Sequence, residues 1–135
     1  MKTKPLFTAT GTRHRGDCAV ACLASILRIP YVEVLVVAAS INPKVLVGGL
    51  NNDDMIHIAE KFGHTLVEHS REEIDLRKMV GILGAQLRGN KGTDEHAVIM
   101  TYGLVFDPEG GDVWKARDYL RRYEARKIDL LELED

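Results

Sequence analysis

The chain has 135 residues and a formal net charge of -2, and 45% of its residues are apolar and 28% charged. This is the composition of an ordinary soluble protein, and the length suits one domain that spans residues 1–135 and buries roughly two-thirds of its unfolded surface. The small net charge gives no general case for nucleic-acid or membrane binding, and no apolar run approaches the ~20 residues of a membrane span.

The cysteine content and the N-terminus indicate where the protein works. Cys18 and Cys22 lie four residues apart, a spacing at which a disulfide within one helix would be strained. Lys2 and Lys4 are not followed by the apolar stretch of a signal peptide. We therefore expect free thiols and a cytoplasmic protein.

Two helices are predicted near the start of the chain, after an irregular segment over residues 1–15. Asp17 is a candidate N-cap for a helix that runs from Cys18 to about Leu27 and stops before Pro30. Pro30 then opens a second helix, because its missing N–H costs nothing in a first turn. The helix is predicted although Val34 to Ala39 is rich in β-formers.

Two further helices are predicted by their caps. Asn51 or Asn52 begins one that ends before Gly63, and its apolar side chains form one stripe consisting of Met55, Ile58, Ala59 and Phe62. Residues 65–68 are a short strand. Ser70 with Glu73 has the pattern of a capping box, which predicts a helix to about Val80.

The second half of the chain is dominated by β patterns. Gly103 is expected to turn a hairpin, and Pro108 with the Gly110-Gly111 pair ends its second arm. The predicted elements are a strand over 82–87, a polar loop over 89–95, strands over 96–102 and 104–106, an amphipathic helix over 113–123 and a last strand over 127–133. Helices followed by a mostly antiparallel sheet predict an α+β fold.

Cys18 is a candidate nucleophile because of its place at the start of the first helix. A helix N-terminus carries free amide donors and a partial positive charge, which stabilise an anion placed there. A thiol in that position loses its proton more readily than a free cysteine, and the thiolate is the nucleophilic form. Cys22, one turn further on, is expected to belong to the core.

A thiol nucleophile needs a base and a group that orients the base, and one histidine and one aspartate fit these roles. His96 begins the strongest strand, and Asp107 ends the next one. The hairpin brings both to the same end of the sheet, although His96 is seven residues before Gly103 and Asp107 only four after it. We expect a bulge or longer turn to absorb the difference, and Asp107 to accept Nδ1–H while Nε2 faces the thiol.

The string from Gly16 to Leu27 resembles the nucleophile helix of papain-like cysteine peptidases, most closely the bacteriocin-processing leader peptidases of family C39 and their stand-alone relatives. The stretch from His96 to Ile99, followed by Asp107-Pro108, is similar to the histidine strand and Asp-Pro segment of that family. The resemblance implies a papain-like fold with helices packed on a mostly antiparallel sheet. It also implies Cys18 as nucleophile, His96 as general base and Asp107 as the orienting residue, with no cofactor and a peptide or protein substrate.

The chain departs from that family at two places. Ala19 stands where the family usually has glycine. The family also places a glutamine shortly before the cysteine to donate to the oxyanion, whereas the sole glutamine of this chain is Gln86. Thr12, Arg13 or His14 would have to substitute, and the loss of one such donor typically costs about 10²- to 10³-fold in rate.

Two alternatives to a peptidase stay open on the sequence. A relative that has lost efficient chemistry would act as a papain-like peptide-binding module, and the negative charge of Asp17 beside the thiol points the same way. A zinc site formed by His14, Cys18, Cys22 and His96 is the other, although structural zinc sites usually show a second close pair of ligands.

Overall fold

A computed structural model describes residues 17–45, 49–88 and 95–134. These parts of the chain form four α-helices and six strands. The helices are α1 (Cys18–Leu27), α2 (Tyr31–Ile41), α3 (Asn52–Lys61) and α4 (Ala116–Arg122). The strands are β1 (Leu66–Ser70), β2 (Val80–Gln86), β3 (Glu95–Thr101), β4 (Leu104–Asp107), β5 (Asp112–Lys115) and β6 (Arg126–Leu133).

The six strands form one sheet in the order β1-β6-β2-β3-β4-β5. Every neighbouring pair in it is antiparallel. The strand order places β6, the last of the six strands in the sequence, between β1 and β2. This arrangement confirms the predicted α+β class. No helix within the described residues is both long and apolar enough to span a bilayer.

Apolar side chains cover both faces of the sheet. Helices α1, α2 and α3 share one buried cluster with sheet residues that include Ile82, Ala97, Ile99 and Leu131. On the other face, α4 packs against residues that include Leu83, Val98, Met100 and Leu130. The alternation along β2 and β3 follows from the two-residue period of a strand, which sends successive side chains to opposite faces.

The first three helices agree with the prediction. Helix α1 ends at Leu27, where Arg28 takes the left-handed conformation (φ 58°) and its N–H bonds to Ala24 and Ser25 carbonyls. Asn51 caps α3 through a reciprocal capping box with Asp54. The preference of the β-branched residues in α2 for a strand is overridden by packing, since Val34 and Ala38 are fully buried against the core.

The helix predicted from Ser70 to Val80 is wrong. The capping box between Ser70 and Glu73 is present, but it opens only a short 3₁₀ turn over Arg71–Glu73. Asp75 then draws its own backbone into a turn, because its carboxylate accepts the N–H of Arg77 at 3.0 Å. Such local side-chain bonds compete with helix formation, and Val80 already belongs to β2.

The helix predicted over 113–123 begins later than expected, at Ala116. Val113 and Trp114 belong instead to β5, where Val113 pairs with Phe106 and Trp114 with Val105. Both are residue types that favour strands, and β4 offers them a ladder that an isolated helix start does not. The predicted loop over 89–95 lies outside the described residues except for Glu95, which is the first residue of β3.

Candidate active site

The nucleophile candidate Cys18 is the first residue of α1, as predicted, and is partly exposed. Asp17 holds the N-cap position, and its carbonyl accepts the first backbone bond, from Ala21. The predicted N-cap is therefore confirmed by its position, although its carboxylate makes no cap hydrogen bond. Its Oδ2 atom instead accepts the hydroxyl of Tyr31 on α2 at 2.5 Å. Asp17 is fully buried and joins the first two helices beside the thiol.

The hairpin of β3 and β4 brings His96 and Asp107 together without the predicted bulge. Thr101 pairs with Leu104 across a two-residue turn, and the pairing continues in regular register to Ile99 and Phe106. One residue further, this register sets Asp107 level with Val98, two residues from His96 on the same face of β3. Diagonal neighbours of this kind are within reach of long side chains.

The contact between the two side chains uses the ring nitrogen opposite to the one predicted. Nε2 of His96 lies 2.9 Å from Oδ1 of Asp107, so Nε2–H donates to the carboxylate and Nδ1 is the nitrogen left over. Cys18 also interacts with His96 and contributes to the raised pKa of the imidazole. The structure thus brings together all three residues that the sequence singled out, with the imidazole between the thiol and the carboxylate.

Asp107 is held on both carboxylate oxygens. Oδ1 accepts the backbone N–H of Glu109 at 2.9 Å in addition to His96, and Oδ2 accepts the hydroxyl of Tyr119 at 2.8 Å. The carboxylate is completely buried. A buried charge is tolerated only when it is paired and hydrogen-bonded, and these three donors meet that condition.

The electrostatics of the site favour a protonated imidazole. Burial lowers the pKa of His96, but the hydrogen bond to Asp107, the negative charge there and the interaction with Cys18 outweigh it, and the pKa rises to about 9. At neutral pH, His96 is therefore a cation. An imidazolium between a carboxylate and a sulfur stabilises the sulfur as thiolate.

Two neighbouring groups stay neutral. Burial raises the pKa of the Cys22 thiol well above its usual value, and the charges of Cys18, Asp107 and Asp17 raise it further. Burial and the adjacent Asp107 charge raise the pKa of the Tyr119 hydroxyl, which acts as a donor only. Cys22 is completely buried in the core of α1, in agreement with the prediction.

The predicted substitutes for the oxyanion glutamine, Thr12, Arg13 and His14, lie outside the described residues. Gln86 does not take the place of that glutamine, because it follows the nucleophile in the sequence. It is the last residue of β2, where it pairs with Glu95 and Arg126, next to the strand that carries His96. His14 of the alternative zinc site is likewise outside the described residues. Within the described ranges, no group of three His, Cys, Asp or Glu side chains is placed to hold a metal ion.

Tyr31 and Tyr119 are the two residues around the site that the sequence did not reveal. Tyr31 lies in the buried stripe of α2, and Tyr119 lies in an amphipathic helix 12 residues after Asp107. An apolar stripe predicts that an aromatic ring is buried. It does not indicate which carboxylate the hydroxyl will reach, because that depends on how the helices pack.

No protein-family model matches the chain, and a search of curated proteins found no match.

Proposed function

We propose that the chain is a papain-like thiol hydrolase, a cysteine peptidase that cleaves a peptide or isopeptide bond and resembles family C39. The single observation that supports this most is the placement of His96 between Asp107, at 2.9 Å, and the thiol of Cys18 at a helix N-terminus. A nucleophile, a base and an orienting group in that order are the minimum set for thiol-based acyl transfer.

In the proposed reaction, the Cys18 thiolate attacks the substrate carbonyl carbon and forms a tetrahedral intermediate. The carbon–nitrogen bond then breaks, and His96 gives its proton to the leaving amine. Water then attacks the resulting thioester while His96 takes a proton from it. The carbon–sulfur bond breaks, which releases the acid and restores the thiolate–imidazolium pair. Asp107 holds Nε2–H throughout, so that Nδ1 stays directed at the sulfur and the substrate.

A second candidate function is a peptide-binding module with the same fold and little catalysis. Two observations favour it. Asp17 sets a buried negative charge directly beside Cys18, which disfavours the thiolate. The sole glutamine lies in β2 and not ahead of the nucleophile, so the usual side-chain donor to the oxyanion is missing.

Selective alkylation tests whether Cys18 has the reactivity that a hydrolase needs. We expect iodoacetamide at pH 6 to label Cys18 at least about 10²-fold faster than Cys22, because only the former is both partly exposed and paired with an imidazolium. Peptide mapping by mass spectrometry gives both rates in one sample. Cys22→Ser is the matched control, and its Cys18 should be labelled at the rate of the parent chain. In His96→Ala, Cys18 should be labelled more slowly, because the imidazolium is gone. Equal, slow labelling of both thiols in the parent chain would count against a hydrolase.

Turnover is tested with a mixed peptide library and mass-spectrometric detection of the products. Any cleavage should fall by at least about 10³-fold in both Cys18→Ser and His96→Ala, since triad members act as a unit. Circular dichroism of each variant confirms that the fold is kept. Cleavage that survives in either variant contradicts the proposed roles, and selective labelling with no cleavage supports the binding module.

A further inference from the structure

The site contains a fourth polar side chain that the proposed reaction does not use. Tyr119 is almost completely buried, and its hydroxyl donates to Oδ2 of Asp107 at 2.8 Å. The opposite oxygen, Oδ1, is the one that faces His96. The hydroxyl therefore holds the carboxylate from the side away from the imidazole.

The ring of Tyr119 is itself fixed by aromatic neighbours. Trp114 meets it edge-on, with 6.0 Å between centroids and 69° between planes. Tyr123 packs against it with its centroid 5.1 Å away. Trp114 and Tyr123 also contact each other at 5.9 Å, so the three rings form one closed group. Aromatic pairs with such geometry stabilise a fold by more than the burial of their surface alone accounts for.

The backbone completes the support on the other oxygen. Pro108 and Glu109 follow Asp107 in the turn between β4 and β5, and the Glu109 N–H bonds to Oδ1. The Glu109 N–H and the His96 Nε2–H thus both meet Oδ1, and the Tyr119 hydroxyl meets the other oxygen. This donor on Oδ2 fixes the plane of the group, and with it the direction in which Oδ1 meets Nε2–H of His96.

We propose that Tyr119 is a positioning residue of this site, which acts through Asp107 to hold the His96 imidazole in line with Cys18. The inference rests on the proposed function for its catalytic meaning, but the hydrogen-bond chain from Tyr119 through Asp107 to His96 can be measured without any substrate. Asp107 is completely buried, so its hydrogen bonds to Tyr119 and His96 are shielded from water.

The experiment compares the parent chain with Tyr119→Phe, which removes only the hydroxyl and keeps the ring. The readout is the proton NMR signal of the His96 Nε2–H, assigned by its loss in His96→Ala. We expect this signal to move upfield and to exchange faster with water in Tyr119→Phe, because a carboxyl group without its Tyr119 donor on Oδ2 is held less firmly and makes a weaker hydrogen bond to Nε2–H. The iodoacetamide rate of Cys18 at pH 6 should fall about fivefold, the effect of one hydrogen bond.

Tyr123→Phe is the matched control, since it removes a hydroxyl from the neighbouring ring of the same aromatic group. It should leave both the His96 signal and the Cys18 rate unchanged. Trp114→Leu provides a second test if Tyr119→Phe does not fold. It loosens the Tyr119 ring and keeps its hydroxyl, and we expect a smaller upfield movement of the same signal.

Two results would overturn the proposal. A lower melting temperature with an unmoved His96 signal in Tyr119→Phe would make Tyr119 a structural residue only. A downfield movement would mean that the hydroxyl withdraws charge from Asp107 instead of fixing its orientation. Neither result affects the proposed function, which fails instead if Cys18 of the parent chain shows no selective alkylation.

Discussion

Asp17 and Asp107 are both buried carboxylates of the candidate site, but they act in opposite ways on the charge of the side chain next to them. Both are completely buried, and each accepts a hydrogen bond from a tyrosine on a neighbouring helix. Asp107 faces a histidine and stabilises its positive charge, whereas Asp17 adjoins a cysteine, where a carboxylate opposes any negative charge that forms on the sulfur during reaction. A buried carboxylate is therefore not in itself an activating group; its effect is set by the sign of the charge that develops next to it.

The largest effect is expected from Asp107→Asn, which keeps the size of the side chain and removes its charge. His96 then loses its partner, and breaking a buried pair of this kind costs about 3 kcal/mol of unfolding free energy. The alkylation rate of Cys18 at pH 6 should fall about 10²-fold, the typical contribution of a positioned base. Urea unfolding and peptide mapping measure the two quantities. An unchanged alkylation rate would remove Asp107 from the proposed set.

The pH dependence of stability tests the same pair without a change at Asp107. His96 has a pKa of about 9 in the fold, against 6.5 for the unfolded chain. Its contribution is therefore fully present below pH 6.5 and is lost as the pH rises through 9. The difference corresponds to about 3 kcal/mol at roughly 1.4 kcal/mol per pKa unit. Urea unfolding at pH 6 and 9.5 should show this loss in the parent chain and lack it in His96→Gln.

Asp17→Asn is expected to have the opposite effect to Asp107→Asn. The amide oxygen still accepts the Tyr31 hydroxyl, but the charge beside Cys18 is gone. We expect the alkylation rate of Cys18 at pH 6 to rise by about threefold to tenfold, because the thiolate no longer faces a fixed anion. A fall in the rate would show that Asp17 supports the thiol through structure more than it opposes it through charge.

The smallest effect on reactivity is expected from Tyr31→Phe. The buried Asp17 carboxylate loses one donor, which lowers the free energy of unfolding by about 1–2 kcal/mol. The Cys18 alkylation rate should change by no more than about twofold, since the charge at Asp17 stays. Urea unfolding gives the first quantity and peptide mapping the second. A large change in rate would mean that the hydroxyl of Tyr31 also controls the geometry of the helix start.

The sequence predicts those parts of the site whose geometry is local. Cys18 at a helix start and the His96–Asp107 hairpin follow from caps, turns and strand periods within a few residues. The ring nitrogen that faces Asp107 and the tyrosine partners do not follow from them, because they depend on packing between elements far apart in the chain. The failed helix after Ser70 has a different cause, since a correct local signal there was overridden by the turn at Asp75.

The turn between β3 and β4 fixes the register of the two strands, and with it the position of Asp107 relative to His96 at their far end. Tyr102 and Gly103 both have positive φ, 43° and 88°, which suits the tightest hairpin connection and leaves no slack in the register. A single residue inserted into β4 after this turn would send Asp107 to the opposite face of the sheet, away from His96 and Tyr119. Length variation in this hairpin is therefore expected to be tolerated only in steps that restore the pairing, even though the turn itself lies on the surface.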